Sequence, residues 1–561
     1  MSLLSKYLPK TEFESYEDFY KNYKINIPEN FNFAYDVIDA LAKEKPGERA
    51  LQWCDEKGDE AAFTFAQIRD FANKAANVLH EAGIGKGDPV MLILKRRWEY
   101  WPALLALHKL GAIAIPATHL LTTKDIIYRC NAADIKGIIC VNDRGLMSRI
   151  DEAEASLKKD GKAPALCYKA FLGESNDTAP QWVNFNPLLH GASAEFKKPS
   201  IVNKNDDIML LYFTSGTTGM PKMVRLDYVY PLGHIATAKY WHRVIPEGLH
   251  LTVADTGWAK AAWGCIYGQW LCEAGIFVYD YDRFVPSAML EIMSKYKLTS
   301  FCAPPTIYRF FIKEDLKKFD FSALKFCCVA GEPLNPEIFE QFLAGTGIKL
   351  RECYGQTELT VSLCTWPWLE PKPGSMGKPA PGYDIELLRE DGSPCAMGEE
   401  GQIVVKTDNR KPYGMFGGYY RDEALTSGVW HDNIYYTGDV AWRDEDGYYW
   451  FVGRNDDVIK SSGYRIGPFE VESALLEHPA VLECAITGVP DPDRGTVVKA
   501  TVVLAKGYSA SEELKTELQD HVKKTTAPYK YPRIVEFVSE LPKTISGKIR
   551  RVEIREEDSK K

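Results

Sequence analysis

The sequence lacks the features that mark membrane-spanning, zinc-binding and nucleic-acid-coating proteins. It has no run of about eighteen apolar residues, so no segment is predicted to cross a membrane. It has no HExxH sequence, and none of its 13 cysteines are paired at CxxC spacing, which argues against a structural zinc site. Its 68 basic residues are outnumbered by 77 acidic ones. We therefore expect no nucleic-acid partner and no stable membrane association.

The N-terminal residues show no targeting pattern either. The segment MSLLSKYLPKTEFESYEDFY has no apolar core of signal-peptide length, and it carries acidic residues early, unlike a transit peptide. Scattered cysteines are typical of a reducing compartment. These observations together predict a cytoplasmic protein.

The length and the pattern of the chain predict an α/β protein with more than one domain. A chain of 561 residues exceeds the size at which one hydrophobic core keeps growing. Strand-like runs such as PVMLIL, AIAIPA and GIICV alternate with amphipathic helices, which predicts a parallel sheet covered on both faces. Residues 383–452 are instead short alternating strands between Gly and Asp turns, and residues 155–205 resemble a loop-rich connection. A tail of about a hundred residues is enough for a small α+β domain.

A glycine-rich loop at residues 214–222, TSGTTGMPK, is the first candidate for chemistry. It is not a Walker A loop, because the GxxxxGK spacing is absent and no Ser or Thr follows the lysine. The following MVRLD looks like a strand, so glycine amides, hydroxyls and one ammonium would hold an anion without a helix N-terminus. A Ser/Gly-rich surface turn is the alternative interpretation. The candidate anion ligands are Thr214, Ser215, Gly216, Thr217, Thr218, Gly219 and Lys222.

Six motifs in order make the chain resemble the superfamily of adenylate-forming (AMP-binding) enzymes. After the glycine loop come AGEPL at 330–334, YGQTE at 354–358, YTGD at 436–439, GRNDDVIKSSGYRIGPFEVE at 453–472 and PKTISGKIRR at 542–551. The resemblance covers nearly the whole chain, and the tail is most similar to medium-chain acyl-CoA synthetases. It implies a large N-terminal domain, residues 1–455, with parallel-sheet subdomains and a β-rich subdomain. A small mobile α+β domain, residues 456–561, would follow.

The resemblance also implies the reaction and its cofactors, which are ATP, Mg²⁺ and coenzyme A. A carboxylate would attack the α-phosphate of ATP to give an acyl-adenylate and pyrophosphate, and a thiol would then displace AMP. Both partners in the first step are anionic, so positive charge is needed where negative charge builds up. Lys548 in TISGKIRR is the implied catalytic residue, although a bare basic surface turn is the alternative for such a tail. Glu358 is the implied magnesium ligand, since a cation on nucleotide phosphates needs few protein oxygens.

The nucleotide contacts implied by the resemblance come from four motifs. Asp439 suits the ribose hydroxyls, although a lone turn aspartate is usually only solvated. Tyr354 would lie on adenine, and its alternative role is core packing. The remaining implied ATP or AMP contacts are Gly331, Glu332, Pro333, Gly355, Gln356, Thr357 and Arg454.

The resemblance further places a hinge and a thiol site in the C-terminal domain. Asp456 would be the hinge, because the lysine and the thiol must reach the same carbonyl at different times. An ordinary acidic turn formed with Asp457 is the alternative. Arg533 could equally be an ordinary surface charge. The implied coenzyme A contacts are Ser462, Gly463, Tyr464, Arg494, Lys523, Tyr531 and Arg533.

Three residues are implied for the acyl pocket. Many relatives continue YGQTE with Thr-Gly, whereas Leu359 and Thr360 follow here and are bulkier. Trp258 would form another wall, a role compatible with core packing. The expected substrates are short or medium acids rather than long chains. No charged group in these motifs is placed to pair with a second carboxylate, so dicarboxylic acids are expected to be poor substrates.

The sequence thus predicts an ATP-dependent acyl-CoA ligase acting on a small-molecule carboxylic acid, in the context of fatty acid metabolism. Acetyl-CoA synthetase-like specificity and a carrier-protein-loading adenylation enzyme are alternatives. A non-catalytic nucleotide-binding protein is a third class, against which the presence of Lys548, Glu358 and Asp439 argues. We expect no carrier domain appended to the tail, and the coenzyme A-type residues of the tail favour a free thiol.

Overall fold

The structure is a computed structural model that describes residues 2–159, 166–174, 176–200, 203–214, 220–461, 464–491, 495–543 and 549–559. Nine residues singled out in the sequence lie outside this described part of the chain: Ser215, Gly216, Thr217, Thr218, Gly219, Ser462, Gly463, Arg494 and Lys548.

Helices follow the predicted alternation through most of the described chain. Several begin at side chains that accept a hydrogen bond from the first turn; Thr64, for example, forms a capping box with Gln67. The α-helices of the described residues are α1 Tyr16–Asn22, α2 Ala40–Glu44, α3 Phe65–Glu81, α4 Tyr100–Leu110, α5 Thr123–Ala133, α6 Arg144–Lys159, α7 Phe185–Gly191, α8 Tyr230–Ala236, α9 Ala259–Gly264, α10 Tyr267–Leu271, α11 Pro286–Lys295, α12 Pro305–Phe311, α13 Pro336–Thr346, α14 Glu423–Val429, α15 Pro468–Leu476, α16 Glu512–Thr525 and α17 Arg551–Asp558.

The strands include each of the apolar runs that the sequence singled out. The strands of the described residues are β1 Arg49–Asp55, β2 Glu60–Thr64, β3 Pro89–Ile93, β4 Ile113–Pro116, β5 Gly137–Val141, β6 Tyr168–Leu172, β7 Val183–Asn184, β8 Ile208–Thr214, β9 Lys222–Asp227, β10 Leu249–Thr252, β11 Gly275–Asp280, β12 Ser300–Ala303, β13 Phe326–Ala330, β14 Leu350–Gly355, β15 Val361–Cys364, β16 Ser375–Pro379, β17 Asp384–Leu388, β18 Gly401–Lys406, β19 Trp430–His431, β20 Ile434–Arg443, β21 Tyr449–Arg454, β22 Ile459–Ser461, β23 Tyr464–Ile466, β24 Val481–Asp491, β25 Gly495–Leu504 and β26 Ile534–Val538.

Two large sheets form the N-terminal part. The first has the order β7-β6-β5-β3-β4-β8-β9, and its strands are parallel except for the β8–β9 hairpin that encloses the glycine-rich loop. The second has a parallel centre, β14-β13-β12-β10-β11-β1, which continues through antiparallel β15, β16 and β21 into β20, β18 and β17. The predicted β-rich subdomain at 383–452 is therefore hydrogen-bonded to the parallel sheet and is not a detached unit.

The predicted loop-rich connection at 155–205 is wrong in part. Strands β6 and β7 add to the edge of the first sheet, and α7 packs behind them. The Lys and Asp residues of this segment are the reason why its sequence predicts a loop. Lys169, in β6, is nevertheless buried because Asp151 and Glu154 neutralise its ammonium at 2.6 and 2.7 Å.

The C-terminal residues form smaller sheets with a core of their own. Strands β24, β25 and β26 make a three-stranded sheet against which α15 and α17 pack, and β22–β23 is a separate hairpin. Contacts with the N-terminal part include the Asn335 amide donating to the Ser473 carbonyl at 3.2 Å, and Lys460 paired with Glu390 at 2.8 Å.

Two further findings concern the described residues as a whole. All 13 cysteines are free, and Cys327 and Cys328 are buried in β13 as core residues. None of the helices in the described ranges is both long and apolar enough to cross a membrane.

Candidate nucleotide and acyl site

The candidate site lies at the carboxyl ends of the parallel strands of the second sheet. Strand β14 ends at Gly355 and is followed by the segment QTE. The neighbouring strand β13 ends at Ala330 and is followed by the segment GEP. Ala330 pairs with Cys353, so both predicted nucleotide motifs begin side by side. Ligands of open α/β sheets bind at this edge, because the loops that follow the strands converge there.

Four predicted nucleotide residues form one hydrogen-bonded cluster. Asp439, which is buried, accepts on Oδ2 from the Tyr354 hydroxyl at 2.6 Å and from the Gln356 amide at 2.7 Å. Its Oδ1 lies 3.6 Å from Nε of Arg454, its register partner across β20 and β21. The Tyr354 pKa is raised well above its usual value by burial and by the Asp439 carboxylate, so the phenol remains a donor. These contacts fix the direction of the Asp439 carboxylate before any ligand binds.

Two aromatic residues that the sequence reasoning missed complete this cluster. The Tyr435 hydroxyl donates to Oε1 of Gln356 at 2.9 Å, which orients the amide so that its nitrogen faces Asp439. The Tyr419 hydroxyl donates to Oε1 of Glu358 at 2.9 Å. The available signal was the aromatic run FGGYY at 416–420 and the first tyrosine of the YYTGD segment.

Glu358 fits the role of a magnesium ligand. Burial raises its pKa, while the Tyr419 hydroxyl and the positive charges of Lys222 and Arg454 lower it. A divalent cation beside the carboxylate would favour the ionised form further. Carboxylate oxygen is the ligand type that Mg²⁺ prefers, with substrate phosphates and water supplying the rest. Lys222 lies 5.3 Å from the centre of the Tyr419 ring, so the lysine that ends the glycine-rich loop is close to this carboxylate.

The other described nucleotide candidates come from both sheets: Gly331 to Pro333 follow β13 and Thr357 follows β14 in the second sheet, whereas Thr214 belongs to the first. Gly331 has φ of +111° and open space where a side chain would lie, while Glu332 is exposed. Pro333 and Thr357 are half-buried, and Thr214 ends β8.

Glu352 is a buried carboxyl group that sequence reasoning missed. It lies in β14, and its two oxygens accept from the backbone N–H groups of Leu334 and Gly374 at 2.9 and 2.8 Å. It thereby holds the end of the GEPL loop against the turn before β16. Burial outweighs these two bonds and raises its pKa to about 8. No sequence motif marks it, because its partners are backbone groups of distant segments.

This shift predicts how stability depends on pH. Because the folded pKa of Glu352 is about 8, against an ordinary 4.5, the folded protein keeps a proton that the unfolded chain has released. The resulting stabilisation is fully present below about pH 4.5 and is lost as pH rises to about 8, a change of a few kcal/mol. Glu352→Gln, which imitates the neutral carboxyl, should flatten this fall. The measurement is the denaturant midpoint of both proteins between about pH 5 and 8.5; parallel curves would contradict the assignment.

The three predicted acyl-pocket residues differ in their surroundings. Leu359 is fully buried in the main core, and Thr360 is buried with its hydroxyl 2.9 Å from that of Tyr383. Trp258 is half-buried and immediately precedes α9. Trp263, at the other end of α9, was missed: its ring packs so closely on Gly355 that a Cβ there would lie 2.6 Å from it. Gly355 is therefore required by packing.

The described coenzyme A candidates fall into two groups. Arg533 donates to the Tyr531 hydroxyl at 2.8 Å, and the Lys523 ammonium lies 4.4 Å from the centre of the same ring. Tyr464 is instead exposed and stacks on Tyr529, with ring centres 4.1 Å apart. Tyr529 was missed, although it belongs to the PYKYPR segment.

Comparison with known proteins agrees with this arrangement. A family model described as "AMP-binding enzyme" matches residues 38–420, and one described as "AMP-binding enzyme C-terminal domain" matches residues 470–548. The mouse protein "Acyl-coenzyme A synthetase ACSM3, mitochondrial" is 42% identical over 97% of this chain and 94% of its own length. Mouse "Acyl-coenzyme A synthetase ACSM4, mitochondrial" is 43% identical over 95% of this chain and 91% of its own.

A solved structure shows the same fold. The anthranilate CoA ligase AuaEII, crystallised with anthranoyl-AMP, superposes with a TM-score of 0.84 at 28% identity, covering 95% of this chain and 98% of that one. The predicted fold class is confirmed. The predicted cytoplasmic location is wrong: the curated relatives are named as mitochondrial, and neither acidic residues near the N-terminus nor scattered cysteines distinguish the two compartments. The two family models match most of the chain, and the mouse ACSM3 protein is 42% identical over 97% of it. The chain therefore belongs to the AMP-binding enzyme family.

Proposed function

We infer that this AMP-binding enzyme is an acid–thiol ligase, which uses ATP to join a carboxylic acid to coenzyme A through an acyl-adenylate. The activity class agrees with the curated relatives, which are named acyl-coenzyme A synthetases and match nearly the whole chain. The observation that carries the inference is the cluster of Tyr354, Gln356, Asp439 and Arg454 beside Glu358. It offers an oriented carboxylate for ribose hydroxyls and a second carboxylate for a cation on phosphate.

The proposed roles follow from these positions. Asp439 binds the ribose, and the 331–333 segment together with Tyr354 forms the adenine site. Glu358 holds Mg²⁺, which would neutralise charge on the phosphates of ATP when bound. Lys222 and the glycine-rich loop bind phosphate, and Lys548 stabilises negative charge at the α-phosphate.

We propose a division into residues 1–455 and 456–561, with Asp456 as the pivot between two poses of the smaller domain. Lys523, Tyr531 and Arg533 are supported as a coenzyme A site by their mutual contacts, which combine two cations with one aromatic ring. Tyr464 and Tyr529 offer a second, exposed aromatic surface. A mitochondrial location is proposed from the relatives' names. A role in fatty acid metabolism is proposed from the expected short- or medium-chain acid substrate.

The substrate is proposed to be a short- or medium-chain acid. Bulky Trp258, together with buried Leu359 and Thr360, supports a pocket of limited depth. The test is a pyrophosphate-release screen with acetate to decanoate, branched acids and benzoate, with and without coenzyme A. Acid-dependent pyrophosphate release and thioester formation are expected. Release that needs a carrier protein instead of coenzyme A would favour a carrier-loading enzyme, and no release with any acid would overturn the proposal.

Trp258→Gly should shift the preference toward longer acids. Each methylene that gains or loses an apolar wall changes kcat/KM by about ten- to two-hundredfold. The measurement is the ratio of kcat/KM for octanoate over butyrate in both proteins, with the KM for ATP as the control that should stay constant. An unchanged ratio would show that Trp258 only packs in the core, and strong activity of the unmodified enzyme on palmitate would remove the shallow-pocket argument.

A further inference from the structure

Lys260 is an ammonium at the candidate site that none of the motif assignments uses. It lies in α9, two residues after Trp258, and is half-buried. Its Nζ donates to the carbonyl of Ala330 at 3.0 Å. Ala330 is the last residue of β13, so the ammonium lies just before the GEP segment of the nucleotide site.

Lys260 lies near the ends of three neighbouring strands, β12, β13 and β14. Its charge opposes the rise in pKa of the buried thiols of Cys302 and Cys353, near the ends of β12 and β14. Cys353 immediately precedes Tyr354. Further along α9, Trp263 packs on Gly355. Helix α9 therefore begins next to Trp258 and reaches the YGQTE strand through Trp263, with Lys260 between these two contacts.

Lys260 has no carboxylate partner within the part of the chain that the structure describes. Among the residues that the structure describes, Ala330 is its hydrogen-bond partner and no carboxylate forms an ion pair with it. The ammonium has three N–H donors, of which the carbonyl uses one. Lys239, another half-buried lysine, is by contrast paired with Glu12 at 2.9 Å. A charge withdrawn from water without a partner is costly, and a bound ligand can supply that partner.

We propose that Lys260 is a specificity-determining residue that binds an oxygen acceptor on the chain of the substrate acid, so that the preferred acids carry a hydroxyl, keto or second carboxyl group. This proposal rests on the ligase function above and narrows its substrate class. It also replaces the expectation that dicarboxylic acids are poor substrates, which considered motif residues without Lys260. An unsubstituted acid would offer no acceptor to the N–H groups of the ammonium that Ala330 does not use, whereas an oxygenated acid of equal length would offer one.

The test compares acids of equal chain length. We would measure kcat/KM by pyrophosphate release for butyrate, 3-hydroxybutyrate and succinate in the unmodified enzyme, in Lys260→Met and in Lys260→Gln. The unmodified enzyme should prefer at least one oxygenated acid over butyrate. Both variants should lower that ratio by about ten- to a hundredfold, the range expected for a hydrogen bond to a charged group. A fall confined to succinate identifies charge pairing, and a fall with 3-hydroxybutyrate identifies hydrogen bonding; both support the proposal.

Lys239→Met is the matched control, because it removes a half-buried lysine that is paired with exposed Glu12. It should leave the ratio unchanged. The proposal is overturned if the unmodified enzyme does not prefer an oxygenated acid, if both Lys260 variants keep the ratio of the unmodified enzyme, or if Lys239→Met lowers the ratio as much as they do. If Lys260→Met does not fold, Lys260→Gln decides, since it keeps a donor for Ala330. Absence of pyrophosphate release with any acid in the unmodified enzyme is a different result, which rejects the ligase function itself.

Discussion

Lys548→Ala should slow formation of the acyl-adenylate by about a hundredfold or more, while thioester formation from supplied acyl-adenylate changes little. The first half-reaction brings a carboxylate against a phosphate, and loss of one preorganised charge at such a centre costs about this much. The second half-reaction involves no attack on phosphate, and by then the smaller domain is proposed to have turned away. Lys548 lies outside the described residues, but the base of its loop does not. Lys543 and Ile549 form a β-bridge, and Arg550 N–H donates to the Pro542 carbonyl at 2.8 Å.

The two half-reactions are measured separately, by isotope exchange between pyrophosphate and ATP and by thioester formation from synthetic acyl-adenylate. Lys543→Ala provides the control, since this lysine is in the same segment but is paired with Glu483 at 2.8 Å. It should keep adenylation close to the original rate. An equal loss in both half-reactions for Lys548→Ala, or a similar loss for Lys543→Ala, would show that the catalytic role is misassigned.

Asp456→Pro should preserve adenylation and reduce coenzyme A-dependent turnover by roughly a hundredfold, the cost of a reacting group held out of place. Proline fixes φ and also restricts the preceding residue, so rotation at this point is lost. The turn around Asp456 is held by the N–H groups of Asn455, Asp457 and Val458. Proline at 456 removes none of these three bonds, so the pose in the structure should remain accessible.

Ion pairs on each side of Asp456 explain why rotation is expected there. On the N-terminal side, Arg454 lies 3.6 Å from Asp439 at the nucleotide site. On the C-terminal side, Asp457 pairs with Arg555, and Arg551 binds both oxygens of Glu472 at 2.7 and 2.8 Å. Arg454 is thus attached to the N-terminal part of the chain and Asp457 to the C-terminal part. We expect the backbone of exposed Asp456, which lies between them, to rotate.

The control for the hinge is Asp456→Ala, which removes the carboxylate but leaves φ free. It loses one exposed contact with Arg454, worth little, and should support both half-reactions. The decisive comparison is the ratio of thioester formation to adenylation in the proline and alanine variants. If the two ratios agree, the pivot is at another residue.

Local sequence was enough to predict most helices and strands and to locate the motifs. Apolar runs such as PVMLIL and GIICV gave strands because a strand buried on both faces needs a continuous apolar run. The same reasoning failed at β6, where buried Lys169 looks like a loop residue until its acidic partners on α6 are known. The joining of the 383–452 strands to the parallel sheet was also not predictable, since it depends on β16 pairing with β21.

The sequence by itself determined the family and the reaction it implies, and it singled out motif residues such as Lys548, Glu358 and Asp439, whose roles stay predictions. These depend on residue type at fixed spacing, which short-range geometry preserves. Tertiary structure alone decided which groups surround them. Glu358 is hydrogen-bonded to Tyr419, 61 residues away in the sequence, and Gln356 to Tyr435, 79 residues away. The raised pKa of Glu352 comes from burial among distant segments. Lys260 likewise looks like an ordinary helix lysine until folding places its ammonium on the Ala330 carbonyl. Hydrogen-bond partners, burial and pKa are set by contacts through space, which no spacing along one chain specifies.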